Sequence, residues 1–184
     1  MKKNNFEILE HIKKIKKNYF LFLKKNTSFS DNIINQISYG LQAGTYIDFY
    51  HYQKKNGEYP DYYYDHIYSK IKKYFKEDCS ILEPGVGEGS FIHELIKRNN
   101  KNFKRLNYYA CDYSYSRLLV CKNFLSRNKV IPNLFVSEMS KIGISQSSID
   151  VLITHHALEP NRGKEKVIIE EFLKGNVKAY GVLQ

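Results

Sequence analysis

Two stretches of the chain hold most of its potential chemistry: Ile81–Leu82–Glu83–Pro84–Gly85–Val86–Gly87–Glu88–Gly89–Ser90–Phe91, and the pair His155–His156. In the first, a short apolar run ends in an acid and passes three glycines at alternate positions. It then enters a segment whose Phe91, Ile92, Leu95 and Ile96 recur with helical period. Glycines let a ligand lie against the main chain, and the start of a helix offers free N–H groups. The spacing excludes two ligand classes. A dinucleotide fingerprint needs its third glycine at position 90, where Ser90 stands, and no Gly-Lys-Ser/Thr ending follows to cradle a triphosphate. Glu83 beside the loop repels a pyrophosphate and attracts an ammonium, so a positively charged ligand suits the loop better than NAD. The paired histidines are the best acid/base candidates, because a neutral imidazole with a free pKa of ~6.5 takes a proton near pH 7.

These groups need a scaffold, and the pattern after residue 79 supplies one. Apolar runs Ser80–Leu82, Leu106–Cys111, Asn133–Val136, Asp150–Thr154 and Val177–Leu183 read as strands, with helical patterns or loops between them. Such alternation predicts an α/β fold, a doubly wound and mostly parallel sheet with helices on both faces. Ligands of open sheets sit outside the carboxyl ends of the strands, which puts His155 and His156 beside the chemistry. Residues 1–79 read as helices alone, an extension or lid before a sheet domain of residues 80–184. From Asn5 to Lys25 the residues Ile8, Ile12, Ile15, Tyr19 and Leu23 draw one apolar stripe with lysines on the other sides. A second helix starts after Ser28 or Ser30 and is stopped by Gly40. Regularity breaks from Gly40 to Tyr46, and a short helical piece then reaches Lys55. Pro60 and Asp61 open another helix with Tyr63, Ile67, Ile71 and Phe75 facing inward.

Composition narrows the class. The 184 residues are 42% hydrophobic and 15% aromatic, too apolar for a disordered chain, and 26% charged, too charged for a membrane protein. The run Tyr19–Leu23 is far too short to span a bilayer and is followed by Lys24 and Lys25 rather than a cleavage site, so a cytoplasmic protein without a membrane span is expected. Cys79, Cys111 and Cys121 show no CxxC spacing, which suits buried thiols and leaves no metal site to expect. The net charge of +10 invites a nucleic-acid reading, but only five of 29 basic residues are Arg, the residue that phosphate forks favour. The abundance of Lys, Asn, Ile and Tyr, all with A/T-rich codons, accounts for the charge without a partner, so nucleic acid is not the favoured reading.

An acid followed by x-G-x-G-x-G after a first strand resembles motif I of the class I S-adenosylmethionine-dependent methyltransferases. The resemblance extends over Ile81 to Asn161. It implies a Rossmann-like sheet, S-adenosyl-L-methionine as cofactor, and a methyltransferase acting on a small-molecule acceptor by in-line displacement. Glu83, Gly85 and Gly87 correspond to the cradle of the cofactor's amino-acid part. Asp112, which closes the second strand and is followed by Tyr113, corresponds to the acid that receives both ribose hydroxyls. Glu138 and Met139, in Phe135–Val136–Ser137–Glu138–Met139, fall where adenine is met, although Asp is commoner there. Ser148 to Asn161 is similar to motif IV, whose strand end faces both the methionine part of the cofactor and the acceptor, which makes His155 and His156 both catalytic candidates and His155 a cofactor contact as well. The segment Gln42–Ala43–Gly44–Thr45–Tyr46 resembles one that folds over the cofactor in some bacterial members, adding Gln42 and Tyr46 to the cofactor contacts and making the tyrosine-rich stretch Tyr46–Tyr64 a candidate acceptor wall.

Two other classes stay open on sequence. A nucleic-acid methyltransferase would use the charge, yet Thr154–His155–His156–Ala157 stands where a D/N-P-P-Y tetrapeptide would be expected. A non-catalytic cofactor-binding domain or inactive fragment is the other alternative. Length bears on this, because residues 80–184 are too few for seven strands with their helices. Strands 6 and 7 are therefore expected to be missing, through truncation or with cover borrowed from a partner, such as a homodimer at the fifth-strand edge.

Overall fold

The computed structural model describes residues 2–99, 106–127, 132–143, 145, 148–158, 163–174 and 179–183, with the backbone alone for 2–10, 12, 13, 16, 32 and 179–183. Two compact units divide the chain, Met1–Gln42 and Ala43–Gln184.

The N-terminal unit is a helix pair, α1 (Lys2–Asn26) and α2 (Asp31–Leu41). Ser30 starts α2, its hydroxyl accepting the Ile33 N–H, which satisfies one of the free amides of the first turn. Gly40 does not stop the helix. It continues through Leu41, and the N–H of Gln42 closes it on Tyr39 O at 3.2 Å. The single apolar stripe expected for α1 is only part of its pattern. Leu23 is buried as expected, but Ile15, Leu21 and Phe22 are each more than half exposed, the last two on a side assigned to lysines.

In the second unit, α3 (Thr45–Lys55) and α4 (Asp61–Ile71) precede a five-stranded parallel sheet. The strands are β1 (Ser80–Pro84), β2 (Asn107–Asp112), β3 (Asn133–Val136), β4 (Val151–His155) and β5 (Ala179–Leu183), in the order β3-β2-β1-β4-β5. The helices between them are α5 (Ser90–Arg98), α6 (Tyr115–Arg127) and α7 (Glu165–Leu173). The expected start of the last strand, Val177, lies outside the described residues. Near-continuous burial along β1 and β4 is the mark of a sheet covered on both faces. One core gathers Ile81, Ile153, Ile92, Leu95 and Leu125 with Ile67 and Ile71 of α4; a second gathers Leu82, Leu152, Met139, Ile168 and Phe172. The helices α3 and α4, grouped by sequence with the extension of residues 1–79, thus share a compact unit with the sheet. A buried charge cluster explains part of this. Glu94 of α5, wholly buried, receives Tyr50 OH of α3 at 2.7 Å and Lys54 Nζ at 3.1 Å, and pairs with Arg98, which also binds Asp65 of α4 at 2.7 Å. Burial alone would raise the Glu94 pKa; the hydrogen bonds from Tyr50, Arg98 and Lys54 outweigh it and leave it lowered.

The strand order reverses between β1 and β4. Their register runs over Ile81↔Val151 and Leu82↔Leu152 only, whereas β1 stays paired with β2 as far as Pro84↔Cys111 and β4 with β5 as far as His155↔Leu183. The backbone ladder between the two central strands thus stops short of their carboxyl ends, the side on which a doubly wound sheet binds ligands at its switch point.

Candidate functional site

The loop from β1 to α5 lies on that side. Gly85 and Gly87 adopt φ of +76° and +57°, a left-handed conformation that a side chain disfavours. A Cβ on Gly85 would overlap the Cβ of Ala157 in the loop after β4, so two loops meet there at backbone range. The loop is pinned to the end of β2, with Gly85 N–H and Val86 N–H donating to Cys111 O at 2.8 and 3.0 Å. Asp112 continues the tie: its Oδ2 accepts Gly87 N–H at 2.9 Å and its Oδ1 accepts Ser114 N–H at 2.8 Å. The acid expected to meet a ribose thus holds the glycine loop, each oxygen keeping a lone pair for a further donor.

Glu83 sits differently from what its charge suggested. It is 1% exposed, it accepts a hydrogen bond from Tyr108 OH of β2, and burial lifts its pKa to about 8, so at neutral pH the group is mostly protonated and offers a cation little charge. Sequence gave no sign of this, because the burial of a strand-end acid depends on the neighbouring strand.

Two residues of this neighbourhood were not singled out on sequence. Glu88, also buried, accepts Gly44 N–H at 3.1 Å and Ile47 N–H at 2.9 Å, so a carboxylate from the glycine loop caps the first turn of α3, where the helix dipole favours negative charge. Burial raises its pKa against those bonds and the nearby Arg117 charge. Arg117, on the first turn of α6, lays its guanidinium over the Tyr46 ring at 4.8 Å, with Nε 3.6 Å from Glu88 and an Nη atom 2.6 Å from where a Cβ on Gly87 would stand. The signals available were an acid inside a loop read for its backbone, and a cation one helical turn beyond Asp112.

At the end of β4, His155 lies in an aromatic cluster. Its ring stacks on Phe91 at 4.4 Å and 10°, His156 meets it edge-on at 4.3 Å, and Tyr63 OH of α4 lies 3.1 Å from Nε2. Burial, with the neighbouring His156, lowers its pKa to about 4, so it is neutral at pH 7 and a weaker base than its free pKa implied. His156 is exposed and takes a φ of +50°.

The remaining candidates spread around the loop or away from it. Met139 is buried in the second core and lies 3.8 Å from the Cβ position of Gly85. Glu138 is paired with Lys164 at 3.3 Å and Lys141 at 3.7 Å. Tyr113 is half-buried, and burial with the nearby Glu138 charge raises its phenol pKa. Gln42 belongs to the N-terminal unit, where it caps α2. Glu159, Pro160 and Asn161 lie outside the described residues. Among those residues no cluster of metal-ligating side chains occurs, and no helix is long and apolar enough to cross a membrane. A cavity of about 350 Å³ lined by Tyr74, Glu77, Cys79 and Asp150 lies at the opposite, amino end of β1 and β4, away from this site.

No protein-family model matches the chain, and no curated protein matches it in sequence. Solved structures do. An S-adenosylmethionine-dependent methyltransferase from Clostridium acetobutylicum superposes with a TM-score of 0.53 at 16% identity, over 74% of this chain and 54% of that one. The YcgJ protein of Bacillus subtilis gives 0.50 at 11% identity, over 60% and 46%. The [4+2]-cyclase SpnF gives 0.53 at 12% identity, over 64% and 43%. The chain thus spans about half the length of the solved chains it matches. These likenesses establish the fold, a Rossmann-like sheet shared with solved S-adenosylmethionine-dependent methyltransferases.

Proposed function

We propose that the chain binds S-adenosyl-L-methionine at the β1–α5 loop and transfers its methyl group to a small-molecule acceptor. The observation that carries this reading is the pinned loop itself: two left-handed glycines at the switch point, one of them tied through its N–H to the carboxylate ending the adjacent strand. The residues fit the group. Gly85 and Gly87 present bare, left-handed backbone at the loop, and Asp112 has lone pairs left for two hydroxyls. Glu138 and Met139, with Tyr113, form the far side toward an adenine. Tyr46, whose ring lies under the Arg117 guanidinium, is the aromatic group offered to the cofactor beside the loop.

When bound, the cofactor supplies an electrophilic methyl on a sulfonium. The chain's part is to position and to exclude water, the largest gains in an in-line displacement. His155, neutral and held by Tyr63 and Phe91, orients the acceptor, while the exposed His156 is the better placed of the two to take a proton from an acceptor hydroxyl. A second reading has a specific basis: a [4+2]-cyclase shares the fold as closely as a methyltransferase does, so this sheet is compatible with a chain that transfers no methyl group.

Isothermal calorimetry with S-adenosylmethionine and its demethylated product tests binding. Binding is expected to weaken at least about tenfold in Asp112→Ala, which removes the tie and the ribose acceptor together. No heat of binding to the intact chain, or affinity unchanged by Asp112→Ala and Gly87→Ala, refutes the reading. Tight binding with no labelled product from a small-molecule extract selects the cyclase-like alternative.

A further inference from the structure

We infer that the N-terminal unit is an anchor for anionic lipid surfaces. The basis is the exposed face of α1. Ile15 and Phe22, seven residues apart, share one line along the helix, and both are more than half exposed, at 56% and 59%. Lys14, Leu21 and Lys25 share the neighbouring line, with Leu21 52% exposed and both lysines exposed. Asn18 lies between the two lines, and Leu23 is on the buried side. Phe29 and Ile33, at the connection to α2, are exposed as well, at 47% and 43%. Five large apolar side chains thus face outward in a unit of Met1–Gln42 that carries eight lysines, three acids and no arginine.

The mixture selects the occupant. Protein interfaces are depleted in lysine at their centres, whereas this face carries Lys14 and Lys25 among its apolar residues. Nucleic acid rewards arginine forks and gains little from Ile15 or Leu21. At a lipid headgroup boundary both components are satisfied: Phe, Leu and Ile enter the acyl edge while lysine stems extend outward and place their ammonium groups among phosphates. The unit would lie along the surface, in keeping with the absence of a spanning helix among the described residues.

The sequence holds no Trp, so Phe22→Trp in the full chain gives a single fluorescent reporter. With phosphatidylcholine vesicles containing phosphatidylglycerol, its emission is expected to shift to the blue and to be quenched by brominated acyl chains. Neither change is expected with phosphatidylcholine alone. Flotation of the unlabelled chain should show the same preference, weakened by salt and cut at least about tenfold in Leu21→Glu/Phe22→Glu, with circular dichroism confirming unchanged helix content. The proposal is overturned by emission unaffected by anionic vesicles, by undiminished flotation of the double variant, or by a blue shift that grows with protein concentration in the absence of lipid, which would mark the face as a contact between copies.

Discussion

Replacing Gly85 with Ala tests the claim that the loops after β1 and β4 touch through backbone. The added methyl meets two penalties. A left-handed φ of +76° costs an L-residue ~1–2 kcal/mol. Overlap with the Ala157 Cβ cannot be relieved by turning a side chain, so one loop must move, at ~1–3 kcal/mol for overpacking of this kind. The expected loss is therefore ~2–5 kcal/mol, a large part of a typical domain's stability. The second penalty is separable. Adding Ala157→Gly removes the overlap and leaves the φ strain, so the double variant should recover ~1–3 kcal/mol relative to Gly85→Ala, less the small entropic cost of a new glycine. Urea denaturation of the four proteins, followed by circular dichroism, gives the coupling as a double-mutant cycle. A Gly85→Ala chain within ~0.5 kcal/mol of the parent, or an Ala157→Gly change that adds to the loss instead of relieving it, refutes the packing described here.

Glu94→Gln should lower stability by ~2–4 kcal/mol in thermal unfolding, because Lys54 and Arg98 keep their charge around a buried neutral amide; equal melting of the two proteins would mean the cluster contributes nothing. The Glu94 pKa is lowered by folding, so this difference should be full above the ordinary carboxyl range and shrink as pH falls below it. Glu83 behaves in the opposite sense. Its carboxyl is raised to about 8, so the folded chain keeps a proton that the unfolded chain releases, and the contribution is present at low pH and lost as pH rises through about 8. Glu83→Gln should therefore gain on the parent as pH rises from the ordinary carboxyl range to about 8, and a pH-independent difference between the two would show Glu83 ionised in the folded chain.

What sequence disclosed and what it hid follow a physical division. The strands, the glycine turn and the strand-end place of Asp112 are written in local patterns of apolar runs and turn residues, so β3 was read to the residue and β1, β2 and β4 to within two. The settings of the site residues depend on partners distant in sequence. Tyr63, which meets His155, lies 92 residues earlier, and Glu88 captures amides 41 and 44 residues before it. The outward face of α1 was hidden for another reason: Leu21 and Phe22 were counted within an apolar run, and a run does not say which side of the helix each member takes.

The short backbone ladder between β1 and β4 has a consequence for how this site tolerates change. Its register ends at Leu82↔Leu152, and the two strands are held further along by their outer neighbours β2 and β5. One buried stitch joins them beyond the ladder, Thr154 Oγ1 donating to Pro84 O at 3.0 Å. Pro84 has no N–H to give the ladder, and its carbonyl is engaged by this side chain instead of by a backbone donor of β4. The framework behind the site is thus a property of the strands rather than of the loops at its rim. Those loops can change in length or sequence while the strands keep the framework on which they stand, an economy that lets one scaffold change its guests without being rebuilt.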